Sequence, residues 1–208
     1  MTRSGASPEV AAIYDAVFGG DRDPVSQPGT STGTPGDWWT TMAVVPDYLK
    51  SFMQQFELFT RPERELDPLL RELALVRTGF VAGSRFVFSQ HSKVARACGN
   101  SAEKVAAIPS WPTSPLFNDA ERAVLAYIDE LVLQRGRVQD ATFSALSTVL
   151  SDVAVLELTV LVTTYQLHAT ISRALRLEYD NVEEGVSEVP APPGFRDEEL
   201  LALMQGHE

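Results

Sequence analysis

Cysteine occurs once in this 208-residue chain, as Cys98. A lone thiol excludes an intrachain disulfide, a C-x-x-C redox pair and a zinc site built from several thiolates, and it fits a reducing compartment. Positive charge is also scarce: 17 basic residues stand against 28 acidic ones, for a net charge of −11. No basic cluster offsets the imbalance, so phosphate backbones and anionic lipid surfaces are repelled, and neither nucleic acid nor membrane is an expected partner. Long apolar runs are missing too. The most apolar stretch, VAVLELTVLVTTYQL at 153–167, is interrupted by Glu157 and falls short of the roughly 20 residues that span a bilayer. The opening MTRSGASPEV has no apolar segment of the secretory kind, so the expectation is a soluble, cytoplasmic protein. Histidine appears three times, as His91, His168 and His207, far apart and without ligand spacing, so no metal is expected.

Alternation of period two is absent as well, whereas apolar positions at steps of three and four recur along most of the chain. The expected fold is therefore all-α. Ser7 and Pro8 open a helix that ends at Gly19 and Gly20. Residues 19–37, rich in Gly, Pro, Ser and Thr, read as a loop. PDYLKSFMQQFELF carries Tyr48, Leu49, Phe52, Met53, Phe56 and Phe59 on one face, and Trp38-Trp39 with these phenylalanines read as core or subunit interface. Asp67-Pro68 opens LLRELALVRTGF, Gly79 and Gly83 bracket a bend, and a helix follows from Ser84 to Cys98, closed by Gly99. Beyond a short helix at SAEKVAAI and a proline loop, PSWPTSP, Asn118 and Glu121 form a capping-box pattern. Asp140 opens another helix, and Ser151 or Asp152 caps the longest one, to about Leu175. The division expected is an N-terminal helix and loop (1–37), a helical domain (38–180) and an acidic, proline-rich tail (181–208) ending in a short helix at RDEELLALM.

Two consecutive helices carry the informative residues. Positions 84, 87, 88, 91 and 95 share one helical face, which sets His91 two turns along the stripe from Ser84, flanked by Val87 and Phe88. On the helix before it, Leu69, Leu73, Val76 and Phe80 form the core face, with Glu72 beside it. A carboxylate and an imidazole on helices joined through glycines can meet in one partly apolar pocket. Burial raises a carboxyl pKa and histidine titrates near neutrality, so the pair suits general acid–base work. The plainer alternatives are a Glu72 salt bridge to Arg71 or Arg77, a core histidine, and Ser84 as a helix cap. Nothing around Ser84 resembles a nucleophile elbow.

The spacing from Glu72 to Ser84, Val87 and His91 resembles the carboxymuconolactone decarboxylase and alkylhydroperoxidase D superfamily over about residues 45–180. The peroxidase branch carries a Cys-x-x-Cys pair where this chain has Ser84 and Val87. The resemblance therefore implies no thiol peroxidase chemistry from those positions. It implies instead, as in the decarboxylase branch, a cofactor-free lyase or isomerase acting on a small organic acid or lactone. Glu72 and His91 would handle protons, Ser84 would orient the substrate, and Val87 and Phe88 would line the pocket. It also implies a homo-oligomer, a trimer or hexamer or else a dimer. On the long helix, Glu157, Leu161, Thr164, Tyr165 and His168 form a stripe. It reads either as the opposite pocket wall, with Tyr165 or His168 on the substrate, or as a structural face with polar edges. Two other readings stay open: an antioxidant enzyme using Cys98, and a non-catalytic ligand-binding or assembly module.

Overall fold

The structure, a computed structural model, describes residues 1–20, 22–27 and 37–177. The tail at 181–208, its expected last helix and much of the 19–37 loop lie outside the described residues. Among the described residues every regular element is helical.

The chain folds as two compact units. In the first, Met1–Glu65 with the end of the long helix from Ile171, α1 (Pro8–Phe18) is capped by Ser7, whose side chain accepts from the Val10 amide. The segment DWWTTM forms a short helix, α2 (Asp37–Met42), and α3 spans Pro46–Phe59. Trp38 is buried, and its ring lies 5.5 Å from Phe52 and 5.7 Å from Phe56. Of the tryptophans and phenylalanines expected in a core or an interface, Trp38 thus lies in this unit's core, with Phe52 and Phe56 half-buried against it.

The second unit runs over Leu66–Thr170. It contains α4 (Pro68–Val81), α5 (Arg85–Cys98), α6 (Ala102–Ala107), α7 (Asp119–Leu133), α8 (Asp140–Ser147) and most of α9 (Asp152–Ala174). Asp67 caps α4 by accepting from the Leu69 and Leu70 amides, and the Asn118–Glu121 capping box opens α7. Gly83, with φ 66°, makes the turn between α4 and α5, as expected. Gly79 does something else. It lies inside α4, where a Cβ would sit 2.5 Å from the Phe88 amide nitrogen, so it is the point of closest approach between α4 and α5 rather than an edge of the bend. Only a residue without a side chain lets the two backbones come so near.

Asn100 Nδ2 donates to the Leu69 carbonyl at 3.2 Å and ties the end of α5 back to the start of α4. On the other side of this hairpin, Leu73, Val76, Ala95, Val105, Ile108, Phe117 and Leu125 form one apolar cluster, with Phe88 and Trp111 packed against it. The expected proline loop is wound into 3-10 turns over Ile108–Thr113. It is pinned by Arg77, which forms a two-pronged ion pair with Asp129 at 2.6 and 2.9 Å and donates to the carbonyls of Ile108 and Pro109. Trp111 Nε1 donates to the same Asp129.

Helix α9 has 23 residues and, by length and composition, could cross a bilayer, although its apolar stretch alone had read as too short. Its buried residues Leu158, Leu161, Val162 and Ala169 are those of a core helix.

Candidate acid–base site

Glu72 sits on the second turn of α4 and His91 in the middle of α5. The helical hairpin brings them together: His91 Nδ1 lies 2.9 Å from Glu72 Oε2. The carboxylate only accepts, so Nδ1 carries the hydrogen and Nε2 is the ring nitrogen left to exchange a proton. Arg71 Nε donates to Glu72 Oε1 at 2.9 Å. Each carboxylate oxygen therefore has its own donor, which makes the burial of Glu72 tolerable; its side chain is 4% exposed, against 14% for His91.

The expectation that burial raises the Glu72 pKa is corrected here. Desolvation does push it up and is the largest single influence, but the hydrogen bonds and charges of His91 and Arg71 together outweigh it, and the carboxyl is held below its usual value. Glu72 is thus an ionised acceptor that fixes the imidazole, not a proton donor. Adjacency in sequence was the signal for Arg71. Arg77, the other partner considered, turns away to Asp129.

Helix α9 brings Tyr165 to the same place. Its ring meets His91 edge to face, with centroids 4.7 Å apart, and the His168 ring lies 5.6 Å beyond Tyr165. Burial, reinforced by the Glu72 charge, raises the Tyr165 pKa, so it remains a phenol at neutral pH. His168 is 3% exposed; burial, with the nearby His91 charge adding to it, lowers its pKa to about 4 and keeps it neutral.

The other expected site residues have structural contacts of their own. Ser84 is buried, and its Oγ accepts from the Val87 amide at 3.2 Å as the cap of α5. Val87 is buried at the α4–α5 crossing, and Phe88 packs against the apolar cluster with its ring 6.2 Å from Phe80. Glu157 accepts from the Leu66 amide at 2.9 Å, so it anchors the chain entering α4. Cys98 is exposed at the last position of α5, seven residues or about 10 Å along the axis from His91. Among the described residues no group of three metal-ligating side chains converges. A cavity of about 640 Å³ in the first unit, lined by Val10, Ile13, Lys50, Met53 and Phe56 among others, contains none of the expected site residues.

The all-helical unit built on the α4–α5 hairpin has counterparts among known proteins. Residues 46–130 match the Carboxymuconolactone decarboxylase family. An uncharacterized protein of Escherichia coli K12, YnjA, is 29% identical over 158 residues, covering 76% of this chain and 82% of its own. Two solved structures share the fold. The debrominase Bmp8, as its C82A variant with 2,3,4-tribromopyrrole, superposes with a TM-score of 0.68 at 20% identity over 84% of this chain and 89% of its own. A peroxidase-related protein with an AhpD core from Ralstonia eutropha JMP134 gives 0.70 at 13% identity, over 86% and 89%.

Proposed function

We propose that the protein is a lyase or isomerase that works without a cofactor on a small organic acid or lactone, with His91 as its acid–base residue. The observation that carries this reading is the 2.9 Å contact of His91 Nδ1 with a Glu72 carboxylate that Arg71 also holds. In the decarboxylating form, the carbon–carboxylate bond breaks and CO2 leaves. The electron pair stays on the substrate carbon, and His91 Nε2–H delivers the proton that quenches it. The neutral imidazole is then reprotonated from solvent. Glu72 stays ionised throughout, orienting the ring and stabilising its protonated form, as the carboxylate does in other His–carboxylate pairs. Tyr165, a phenol at neutral pH, supplies a donor for a substrate oxygen. The likeness to a debrominase supports a fold that hosts more than one chemistry, so the reaction is argued from the site rather than from the fold.

The test is turnover of a panel of small lactone acids, followed by CO2 release and product analysis. Removal of the acid–base residue in His91→Gln should lower the rate by about a hundredfold or more. Glu72→Gln should also lower it while displacing the imidazole from the Nδ1–H tautomer, visible in ring 15N shifts. Cys98→Ser should leave the rate unchanged, whereas an antioxidant enzyme using that thiol would lose peroxide consumption. Undiminished turnover in His91→Gln would refute the assignment.

A further inference from the structure

Helix α5, with the sequence RFVFSQHSKVARAC, holds Arg85, His91, Lys93 and Arg96 and no acidic residue, in a chain whose net charge is −11. Ser89, Ser92 and Arg96 follow one another at steps of four or three, so they form one row along the helix. At 3.6 residues per turn the row is rotated by about 100° to 160° from His91, which sets it apart from the acid–base site. Ser92 is fully buried and Ser89 is 8% exposed. Among the described residues, neither hydroxyl has a hydrogen-bond partner, and the same holds for the buried Nε of Arg96. Long side chains on a helix lean towards its N-terminus, so Arg96 lies back over the turn that carries the two serines. A basic residue in the last turn offsets the helix dipole. That accounts for a cation at Arg96 but not for two buried hydroxyls in line with it, because a buried donor without an acceptor costs stability.

We propose that this row is a binding site for a small carboxylate, with the Ser89 and Ser92 hydroxyls and the Arg96 Nε–H donating to its oxygens and Lys93 adding a second positive charge. All three buried groups can donate, and an anion is the ligand that accepts from all of them at once. Lys93 stands one turn from both Ser89 and Arg96. Burial, and after it the charge of Arg96, lowers the Lys93 pKa to about 8, so the two cations are near enough to repel. An anion between them removes that repulsion. Lys93 and Arg96 are half-buried, and Ala97 and Cys98 beside them are exposed, so an ion reaches the row from its cationic end. The number of donors favours a carboxylate over a phosphate. Two oxygens suffice to accept from three buried donors and an ammonium, whereas the further oxygens of a phosphate would meet no donor in the row. The inference is independent of the acid–base reading.

Titration of the full chain with sodium acetate tests it, at an ionic strength held constant with sodium chloride. The readouts are the 1H–15N shifts of the α5 amides and the melting temperature. Shifts that saturate at Ser89, Ser92 and Arg96 are expected, together with a rise in melting temperature. Arg96→Lys keeps the charge but loses the Nε–H, and should weaken acetate binding about tenfold or more. Ser92→Ala should weaken it to a similar degree. Without acetate, however, Ser92→Ala should melt no lower than the native chain, because it removes a buried hydroxyl that lacks a partner. Arg61→Gln, which deletes a positive charge at an exposed position outside α5, should leave the affinity unchanged. Shifts that fail to saturate, or that persist in both Ser92→Ala and Arg96→Lys, would overturn the proposal. So would a Ser92→Ala chain that melts lower without acetate, since the hydroxyl would then serve the fold. Equal weakening in Arg61→Gln would reveal a response to overall charge alone, and tighter binding of inorganic phosphate would assign the row to a different anion; either result equally overturns it.

Discussion

The buried histidine of α9 makes a quantitative prediction. His168 is neutral in the fold, with its pKa lowered from 6.5 to about 4 by burial, aided by the charge on His91. In the unfolded chain it regains an ordinary value. The unfolded state therefore binds more protons between these two values, and stability must fall as pH drops through that window. The loss begins near pH 6.5, proceeds at up to about 1.4 kcal/mol per pH unit, and ends near pH 4. At pH 5 it amounts to about 2 kcal/mol, a sizeable share of the total stability of a typical domain. Urea unfolding at pH 7, 6 and 5 measures it, with His168→Gln as the control. The variant should be less stable at pH 7 yet lose about 2 kcal/mol less than the native chain on going to pH 5. If both proteins lost stability in parallel, the imidazole would not be buried in its neutral form and the reasoning would fail. Glu72 acts in the same direction at lower pH: its depressed pKa contributes stability above the ordinary carboxyl value, which is lost as pH falls through the folded one.

Two further changes probe the scaffold. Gly79→Ala would place a methyl group 2.5 Å from the Phe88 amide and 2.8 Å from its Cα. Because backbone must move, the cost should be about 3 kcal/mol or more, seen as a lower melting temperature, and the shift of α5 should lengthen the Glu72–His91 contact. Tolerance of alanine without loss of stability would deny the close crossing. Arg77→Ala leaves Asp129 without its two-pronged partner and uncaps the Ile108 and Pro109 carbonyls, a loss of about 3–5 kcal/mol for a buried pair broken on one side. Arg71→Ala, made beside it, should cost less stability but change the His91 ring 15N shifts, because Arg71 holds Glu72 rather than the core.

The site was legible in the sequence to the extent that helical geometry is local. Glu72 and His91 stand at fixed offsets from Asp67 and Ser84, two caps that set where α4 and α5 begin, and the turn at Gly83 folds one helix back on the other. Their meeting follows from those offsets. The sign of the Glu72 shift did not follow, because it is the balance of burial against two donors, and a sequence shows neither the burial nor which arginine reaches the carboxylate. Arg71 and Arg77 are both near Glu72 along the chain. Only the position of Asp129, on a helix 52 residues away, decides that Arg77 leaves. Gly79 was misread for a related reason: a glycine that permits a crossing and one that permits a turn look alike until the second backbone is in place.

What the amino-acid order determined by itself was the helical class, the caps and turns that bound α4, α5, α7 and α9, and the carboxylate and imidazole that the α4–α5 hairpin pairs. These depend on neighbours within a few residues, where spacing of 3.6 and hydrogen-bonding caps act directly. Tertiary structure alone decided that Glu72 is ionised, that Tyr165 and His168 join His91 while Glu157 instead holds Leu66, and that Ser89, Ser92 and Arg96 bury polar atoms along α5. Each of those is a competition among groups brought together from distant parts of the chain, and its outcome is set by distance and burial rather than by residue type.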